Sequence, residues 1–197
     1  MFADLLAHPG VEEVLERRGR FGFMAFHGGS LEETTDVVAR AAAAASGASY
    51  YGVHQPADLQ WHIPSHHVDP AASPRLRAFL DHVEVVVTVH GYGRAGLWTA
   101  LLLGGTNRDL AEHTGRALRR ALPAYDVVDD LDRIPKELRG LHPRNPVNLP
   151  VGAGTQLELP PRVRGTSPLW WDWEGPEPCP HTRRLIDGLA SAATDWR

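Results

Sequence analysis

The sequence is poor in the features that would indicate an oxidising compartment or a membrane. It has one cysteine, Cys179, among 197 residues, so an internal disulfide is impossible and the fold does not depend on oxidation. No apolar run approaches the ~20 residues that span a bilayer, and no basic region precedes an apolar run at the N-terminus. We therefore expect a cytoplasmic protein with no membrane contact and no signal peptide.

The chain also lacks an excess of positive charge. It has 20 Lys and Arg residues and 24 Asp and Glu residues, which gives a net charge of -4. No overall positive potential therefore favours a nucleic-acid partner. A G-x-S-x-G motif, the usual signal of a serine hydrolase, is absent. The hydrophobic fraction of 43% is typical of a globular protein. We expect one domain over residues 1–197 and a monomer.

What the chain does contain is an alternation of apolar runs and helical patterns. Strands are predicted at 21–26, 49–54, 59–63, 83–90, 125–129 and 155–159, and helices at 35–46, 73–82, 106–122 and 181–196. The segment 97–105 fits a strand or a helix equally well. Strands that alternate with helices indicate an α/β domain with a mostly parallel or mixed sheet.

Histidine is plentiful, at 11 residues, and two histidines follow predicted strands. His27 closes the strand "FGFMAF", and Gly28 and Gly29 after it permit a sharp turn. Glu32 lies beyond that turn and can reach an ion that His27 also binds. Ligands of open α/β sheets sit at the carboxyl ends of strands, which favours a metal site here. The alternative is a helix start, because Ser30 and Glu33 match the S-x-x-E capping box.

The second histidine is His90, in "VTVHG", which repeats the strand-His-Gly pattern of "MAFHG". Two histidines and one carboxylate are a standard ligand set for catalytic zinc, with one position left open. The alternative is a pair of unrelated histidines. A rival function starts at the same point, since "GYGRAG" at 91–96 is a literal G-x-G-x-x-G of nucleotide-binding proteins. That motif should open a helix and precede an acidic residue on a second strand, and neither is evident.

Two further side chains are candidates for the site. In "TQLEL", Gln156 and Glu158 share one face of a strand, and the leucines share the other. Glu158 therefore points into a crevice, where it is a candidate general base, or simply into solvent. His62, in "LQWHIPS", is a candidate contact to a metal ligand or to substrate.

Taken together, "FHGGSLE", "LQWHIPS", "VTVHG", "LLLGGTN" and "TQLELPPRVR" resemble the bacterial and phage poly-γ-glutamate hydrolases over residues 20–165. The resemblance implies a zinc carboxypeptidase-like, three-layer α/β fold with a twisted mixed sheet flanked by helices. It implies one zinc ion held by His27, Glu32 and His90, with Glu158 as general base. It also places Asn148 and Arg164 beside the substrate groove.

The expected activity is zinc-dependent hydrolysis of a glutamyl-containing amide. A polyanionic substrate needs fixed cations, and Arg94, four residues after His90, is one candidate; the alternative is a surface arginine. The net charge of -4 argues mildly against a long polyanion. Another small acyl or peptide substrate of a zinc amidase or carboxypeptidase therefore stays open, as does a non-catalytic nucleotide-binding protein that uses Gly91 to Gly96.

Overall fold

The computed structural model describes residues 1–197 and contains one mixed sheet of seven strands. The strands, in chain order, are β1 (Glu12–Glu16), β2 (Phe21–Gly29), β3 (Ser49–Gln55), β4 (Val85–Gly91), β5 (Ala100–Leu103), β6 (Asp126–Val128) and β7 (Gly154–Leu159). Their spatial order is β1-β3-β2-β4-β7-β5-β6. β3, β2, β4 and β7 run parallel, whereas β1 and β5 are antiparallel to their neighbours β3 and β7.

Helices cover both faces of the sheet and make a three-layer structure. The helices are α1 (Phe2–Leu6), α2 (Thr35–Ser46), α3 (Pro74–Leu80), α4 (Arg108–Ala121), α5 (Pro161–Arg164) and α6 (Pro180–Asp195). α2, α4 and α6 share the larger hydrophobic core with one face of the sheet. α1 and α3 share the smaller core with the other face. The three-layer α/β architecture predicted from the sequence is therefore confirmed.

The valine-rich strand β4 lies in the middle of the sheet and is buried on both faces. Val85 and Val87 pack in the larger core, and Val86, between them along the chain, packs in the smaller one. This division follows from the alternation of side chains along a strand. A strand covered by helices on both faces needs apolar side chains at every position, which explains its run of valines.

Local helix signals are confirmed at several positions. α2 spans the predicted residues 35–46 and ends at Gly47, whose φ of +71° is the left-handed conformation of a C-cap. The Ser73 hydroxyl accepts a hydrogen bond from the Leu76 backbone N–H at the start of α3. Asn107 caps α4 in the same way, through Leu110.

The capping box predicted at Ser30 and Glu33 is wrong. α2 begins at Thr35, and its N-cap residue is Thr34, with a φ of +75° and no side-chain capping bond. The Ser30 hydroxyl instead donates to the Pro56 carbonyl over 2.7 Å, which ties the loop after β2 to the exit of β3. A long-range hydrogen bond therefore takes the side chain that the local pattern assigned to a helix start.

The strand predicted at 59–63 is also wrong, because this segment has no sheet partner. The Gln55 side chain holds it instead: its amide donates to the Trp61 carbonyl over 3.0 Å and accepts from the Trp61 N–H over 2.8 Å. A side chain, instead of a neighbouring strand, therefore pairs with the backbone of Trp61.

The ambiguous segment 97–105 contains strand β5, and residues 92–99 before it form no helix. The "GYGRAG" motif therefore lacks the helix that a nucleotide-binding fingerprint opens. Three elements were missed by the sequence analysis: the short helices α1 and α5 and the edge strand β1. None of the helices is both long and apolar enough to cross a membrane.

Candidate active site

The candidate site lies at the carboxyl ends of three neighbouring parallel strands. β2 ends with His27-Gly28-Gly29, β4 ends with His90-Gly91, and β7 carries Glu158 near its end. His90 stands opposite Glu158 in the β4–β7 register. Because β2, β4 and β7 are adjacent and parallel, residues that are up to 131 positions apart in the chain meet at one edge of the sheet.

Glu32 connects the two histidines. Its Oε1 lies 2.8 Å from His27 Nδ1, and its Oε2 lies 3.3 Å from His90 Nδ1. The Gly91 backbone N–H donates to the same Oε2 over 2.9 Å. Burial alone would raise the pKa of Glu32, but the charges and hydrogen bonds of His27 and His90 outweigh it and hold that pKa well below its ordinary range. The carboxylate is thus kept ionised although it is partly buried.

A hydrogen bond to the backbone of Ile63 fixes the ring orientation of His27. Its Nε2 lies 2.8 Å from the Ile63 carbonyl oxygen, which can only accept, so Nε2 donates and Nδ1 faces Glu32. A histidine that binds a metal commonly gives its second N–H to a carbonyl or carboxylate in this way. Phe26 packs edge-on against His27 and His90, with ring centroids 4.9 Å away in each case.

His90 is buried, and its Nε2 has no hydrogen-bond partner. Its Nδ1 faces Glu32. Burial would lower the pKa of His90, but the Glu32 carboxylate raises it above its ordinary value. In the absence of a metal the pair is therefore held together by opposite charge, at the position where a cation would bind.

Glu32 has the spacing of a shared metal ligand from each of the two histidines. Two ligand atoms of a tetrahedral zinc site lie about 3.3 Å apart, given metal–nitrogen distances of about 2.0–2.1 Å. The distances from Glu32 to the two histidines, 2.8 and 3.3 Å, are close to that value. The three side chains whose ligand atoms all lie within 4.8 Å of one another are His27, Glu32 and His62, and His90 is not in that group. Burial and the charge of His27 lower the pKa of His62, which favours the neutral, ligating form.

Glu158 points into the crevice, as the pattern of "TQLEL" predicts, and not into solvent. It is 4% exposed, while Leu157 and Leu159 are fully buried on the opposite face. The Gln156 side-chain amide donates to Oε1 of Glu158 over 2.8 Å, and the Asn145 side-chain amide donates to Oε1 of Gln156 over the same distance. Burial raises the pKa of Glu158 to about 7, with His90 opposing and Glu32 adding to the shift. A carboxyl with this pKa can take up a proton near neutral pH.

These side chains form the floor of a pocket of about 400 Å³ whose lining is mostly polar. The loop 136–142 with Asn145 and the segment from Pro64 to His66 also line the pocket. Asn145 was missed by the sequence analysis, because a loop residue whose neighbours are two prolines and polar side chains carries no periodic signal. Gln156 was recognised as a neighbour of Glu158 on the same strand face, and that spacing of two is the signal that finds it.

Arg94 and Asn148 do not line this pocket. Arg94 forms an ion pair of 2.5 Å with Glu137, a residue of the pocket wall. The Asn148 side chain accepts from Thr106 and donates to the carbonyls of Gly140 and His142, so it fixes the loop instead of facing the pocket. A direct contact of either residue with substrate stays a prediction that this geometry does not favour.

Arg164 lies behind the site. Its guanidinium donates to the Glu33 carbonyl over 2.9 Å and to the Leu159 carbonyl over 3.3 Å. A Cβ added at Gly91 would lie 2.9 Å from its Cζ, so the side chain packs directly against the end of β4. Burial lowers the pKa of Arg164, opposed by Glu32 and Glu33. Arg164 therefore braces the loop that carries Glu32.

Comparison with known proteins identifies a family and similar folds. A family model described as poly-gamma-glutamate hydrolase matches residues 6–167. A structure of a bacteriophage poly-gamma-glutamate hydrolase superposes with a TM-score of 0.75 at 20% identity, covering 93% of this chain and 87% of that one. A zinc-free (apo) structure of YNDL superposes with a TM-score of 0.74 at 22% identity, covering 94% and 90%. A search of curated proteins gives no match. The zinc carboxypeptidase-like α/β fold predicted from the sequence is confirmed by these superpositions.

Proposed function

This chain belongs to the poly-gamma-glutamate hydrolase family, and on that premise we propose that it is a zinc-dependent hydrolase of γ-glutamyl amide bonds. The observation that carries the proposal is the meeting of two histidine Nδ1 atoms at the carboxylate of Glu32, 2.8 and 3.3 Å away, beside a buried second carboxyl. One zinc-free neighbour supports the choice of metal.

In this proposal His27, Glu32 and His90 hold one zinc ion through two Nδ1 atoms and one carboxylate. The Ile63 carbonyl, which receives the Nε2 proton of His27, orients that ring. His62 stands within reach of the same donors and acts as an additional ligand or as a contact to substrate. Zinc, when bound, supplies a Lewis acid that polarises the scissile carbonyl group.

Glu158 acts as the general base. It takes a proton from the water whose oxygen attacks the amide carbon, and it gives that proton to the leaving nitrogen as the carbon–nitrogen bond breaks. The hydrogen bond from Gln156 to Oε1 fixes one carboxyl oxygen and leaves the other to face the pocket. The Asn145 side chain fixes Gln156 in turn, so the carboxyl is held by two successive amides.

The decisive test is a hydrolysis screen of γ-linked and α-linked glutamyl peptides and N-acyl amino acids, with zinc and with chelator. We expect cleavage of the γ-linked substrates and its loss in chelator. Cleavage confined to α-linked or N-acyl substrates would favour the alternative zinc amidase. Activity that survives complete metal removal would refute the zinc mechanism.

Substitutions can distinguish the residues that bind the metal from the residue that acts as general base. Glu158→Gln should lower kcat by a factor of about 100 to 10,000 while stoichiometric zinc is retained. His27→Ala and His90→Ala should lose the zinc itself. His8→Ala is the matched control, because His8 only bonds its neighbour Pro9 and does not line the pocket. A Glu158→Gln protein with full activity would remove that residue from the mechanism.

A further inference from the structure

A second pocket adjoins the candidate active site. It has a volume of about 350 Å³, and His66 lines both pockets, so the two form one groove on the α3 side of the sheet. His67, Arg77 and Arg144 line the second pocket. The groove therefore extends from the reaction centre across a surface that the catalytic proposal does not use.

This groove carries cations that no carboxylate of the protein neutralises. Lys136, at the first pocket, and Arg77 and Arg144, at the second, are exposed, and none of them has a carboxylate oxygen within 4 Å of its charged group. Asp69 is the one acidic residue in the second pocket, and its Oδ1 accepts the Ala71 backbone N–H over 2.8 Å. Positive charge is thus in excess at the second pocket, where Arg77 and Arg144 outnumber Asp69, whereas the first pocket also carries Glu32, Glu137 and Glu158.

Histidines continue the same surface between the arginines and the active site. The ring of His66 lies 4.1 Å from that of His67 and 4.6 Å from that of His142. The Arg144 backbone N–H donates to His142 Nδ1 over 3.1 Å, so the proton of neutral His142 is on Nε2, which can donate to an anion. Partial desolvation and repulsion by His67, His142 and Arg144 lower the pKa of His66.

We propose that this groove, from Lys136 and His142 past His66 to Arg77 and Arg144, binds carboxylates of the uncleaved part of a poly-γ-glutamate chain. The inference rests on the proposed function and assigns the second pocket to the part of the substrate chain that lies away from the scissile bond. Each γ-linked residue carries a free α-carboxylate, so a chain that lies in the groove presents several anions in succession. Arginine guanidinium groups bind such carboxylates through two parallel hydrogen bonds.

The test compares two double variants with the same change in charge. Arg77→Ser/Arg144→Ser removes both arginines of the groove. Arg120→Ser/Arg184→Ser removes two exposed arginines from α4 and α6, on the opposite side of the sheet. KM is measured for long poly-γ-glutamate and for a γ-glutamyl dipeptide. In the groove variant the ratio of the polymer KM to the dipeptide KM should rise at least about fivefold, as expected for two exposed ion pairs. An equal ratio in both variants overturns the proposal.

A binding measurement separates this proposal from the proposed hydrolysis. Anisotropy of fluorescent poly-γ-glutamate is measured on the full-length protein in chelator, where no turnover occurs. An affinity for the polymer that falls at least about fivefold in the groove variant, but not in the control variant, supports polymer binding by the groove. This conclusion holds even if the unmodified protein cleaves no γ-linked substrate and the hydrolase proposal fails. Affinity that is the same in both variants overturns the groove, even if the protein is an active hydrolase.

Discussion

The burial of Glu158 leads to a quantitative prediction about the stability of the metal-free protein. Its pKa rises from an ordinary value of 4.5 to about 7 in the fold. A carboxyl with a raised pKa binds its proton more tightly in the folded state, so folding stability is greatest below the unfolded pKa and falls as pH rises from 4.5 to about 7. Each pH unit within this window costs about 1.4 kcal/mol, which amounts to about 2–3 kcal/mol between about pH 5 and pH 8.

Glu158→Gln removes this titration while it keeps the shape of the side chain and an oxygen that can accept from Gln156. We expect the free energy of unfolding of the variant, relative to the unmodified protein, to increase by about 2–3 kcal/mol from pH 5 to pH 8. The assay is urea denaturation followed by circular dichroism, in excess chelator at several pH values. Because other titrating groups are common to both proteins, the difference isolates residue 158.

The matched control is Glu12→Gln, at an exposed position of the edge strand β1. Its stability relative to the unmodified protein should vary far less over the same pH range, because water solvates that carboxylate in both states. If the free energy of unfolding of Glu158→Gln, relative to the unmodified protein, is constant from pH 5 to pH 8, burial does not disfavour the ionised carboxylate. The argument that burial raises the pKa of the general base would then fail.

Three further predictions concern the metal and the backbone. Zinc at 100 times its dissociation constant should stabilise the protein by about 3 kcal/mol, and thermal unfolding of His27→Ala should show no such gain. Gly29→Ala should lower the free energy of unfolding, measured by urea denaturation, by more than about 3 kcal/mol, because its Cβ would lie 2.1 Å from the Gln55 carbonyl oxygen at a φ of +73°. Gly47→Ala is the control: its Cβ would meet open space, so it should lower the free energy of unfolding by only about 1 kcal/mol. Asn107→Ala should cost about 1 kcal/mol by loss of the α4 N-cap, and an unchanged unfolding midpoint would contradict that role.

Several features of the site could be predicted from local sequence because they depend on short-range physics. The alternation of "TQLEL" places Glu158 and Gln156 on one face, and the leucines on the other face bury themselves in the core. The bounds of α2 follow from its composition and from Gly47. The repeated strand-His-Gly pattern at His27 and His90 marks two strand ends before any sheet order is known.

Other features depend on side chains that approach from distant parts of the chain. Ser30 bonds Pro56 in place of a helix end, and Gln55 holds residue 61 in place of a neighbouring strand. Asn145 reaches Gln156 from a loop, and Arg94 pairs with Glu137 instead of facing the pocket. Each partner is separated in sequence from the residue that it contacts by more than one helical turn or one two-residue strand repeat. Periodic patterns in the sequence therefore cannot predict these contacts.

The sequence by itself determined most of the longer strands and helices, the inward face of β7 and the candidate site residues His27, Glu32, His90 and Glu158. Only the tertiary structure decided that β2, β4 and β7 are neighbours, that Ile63 orients His27, and that His62 joins the donor set. The physical reason is that periodicity records which face of an element is buried, whereas the partner of that face is selected by the packing of the whole sheet.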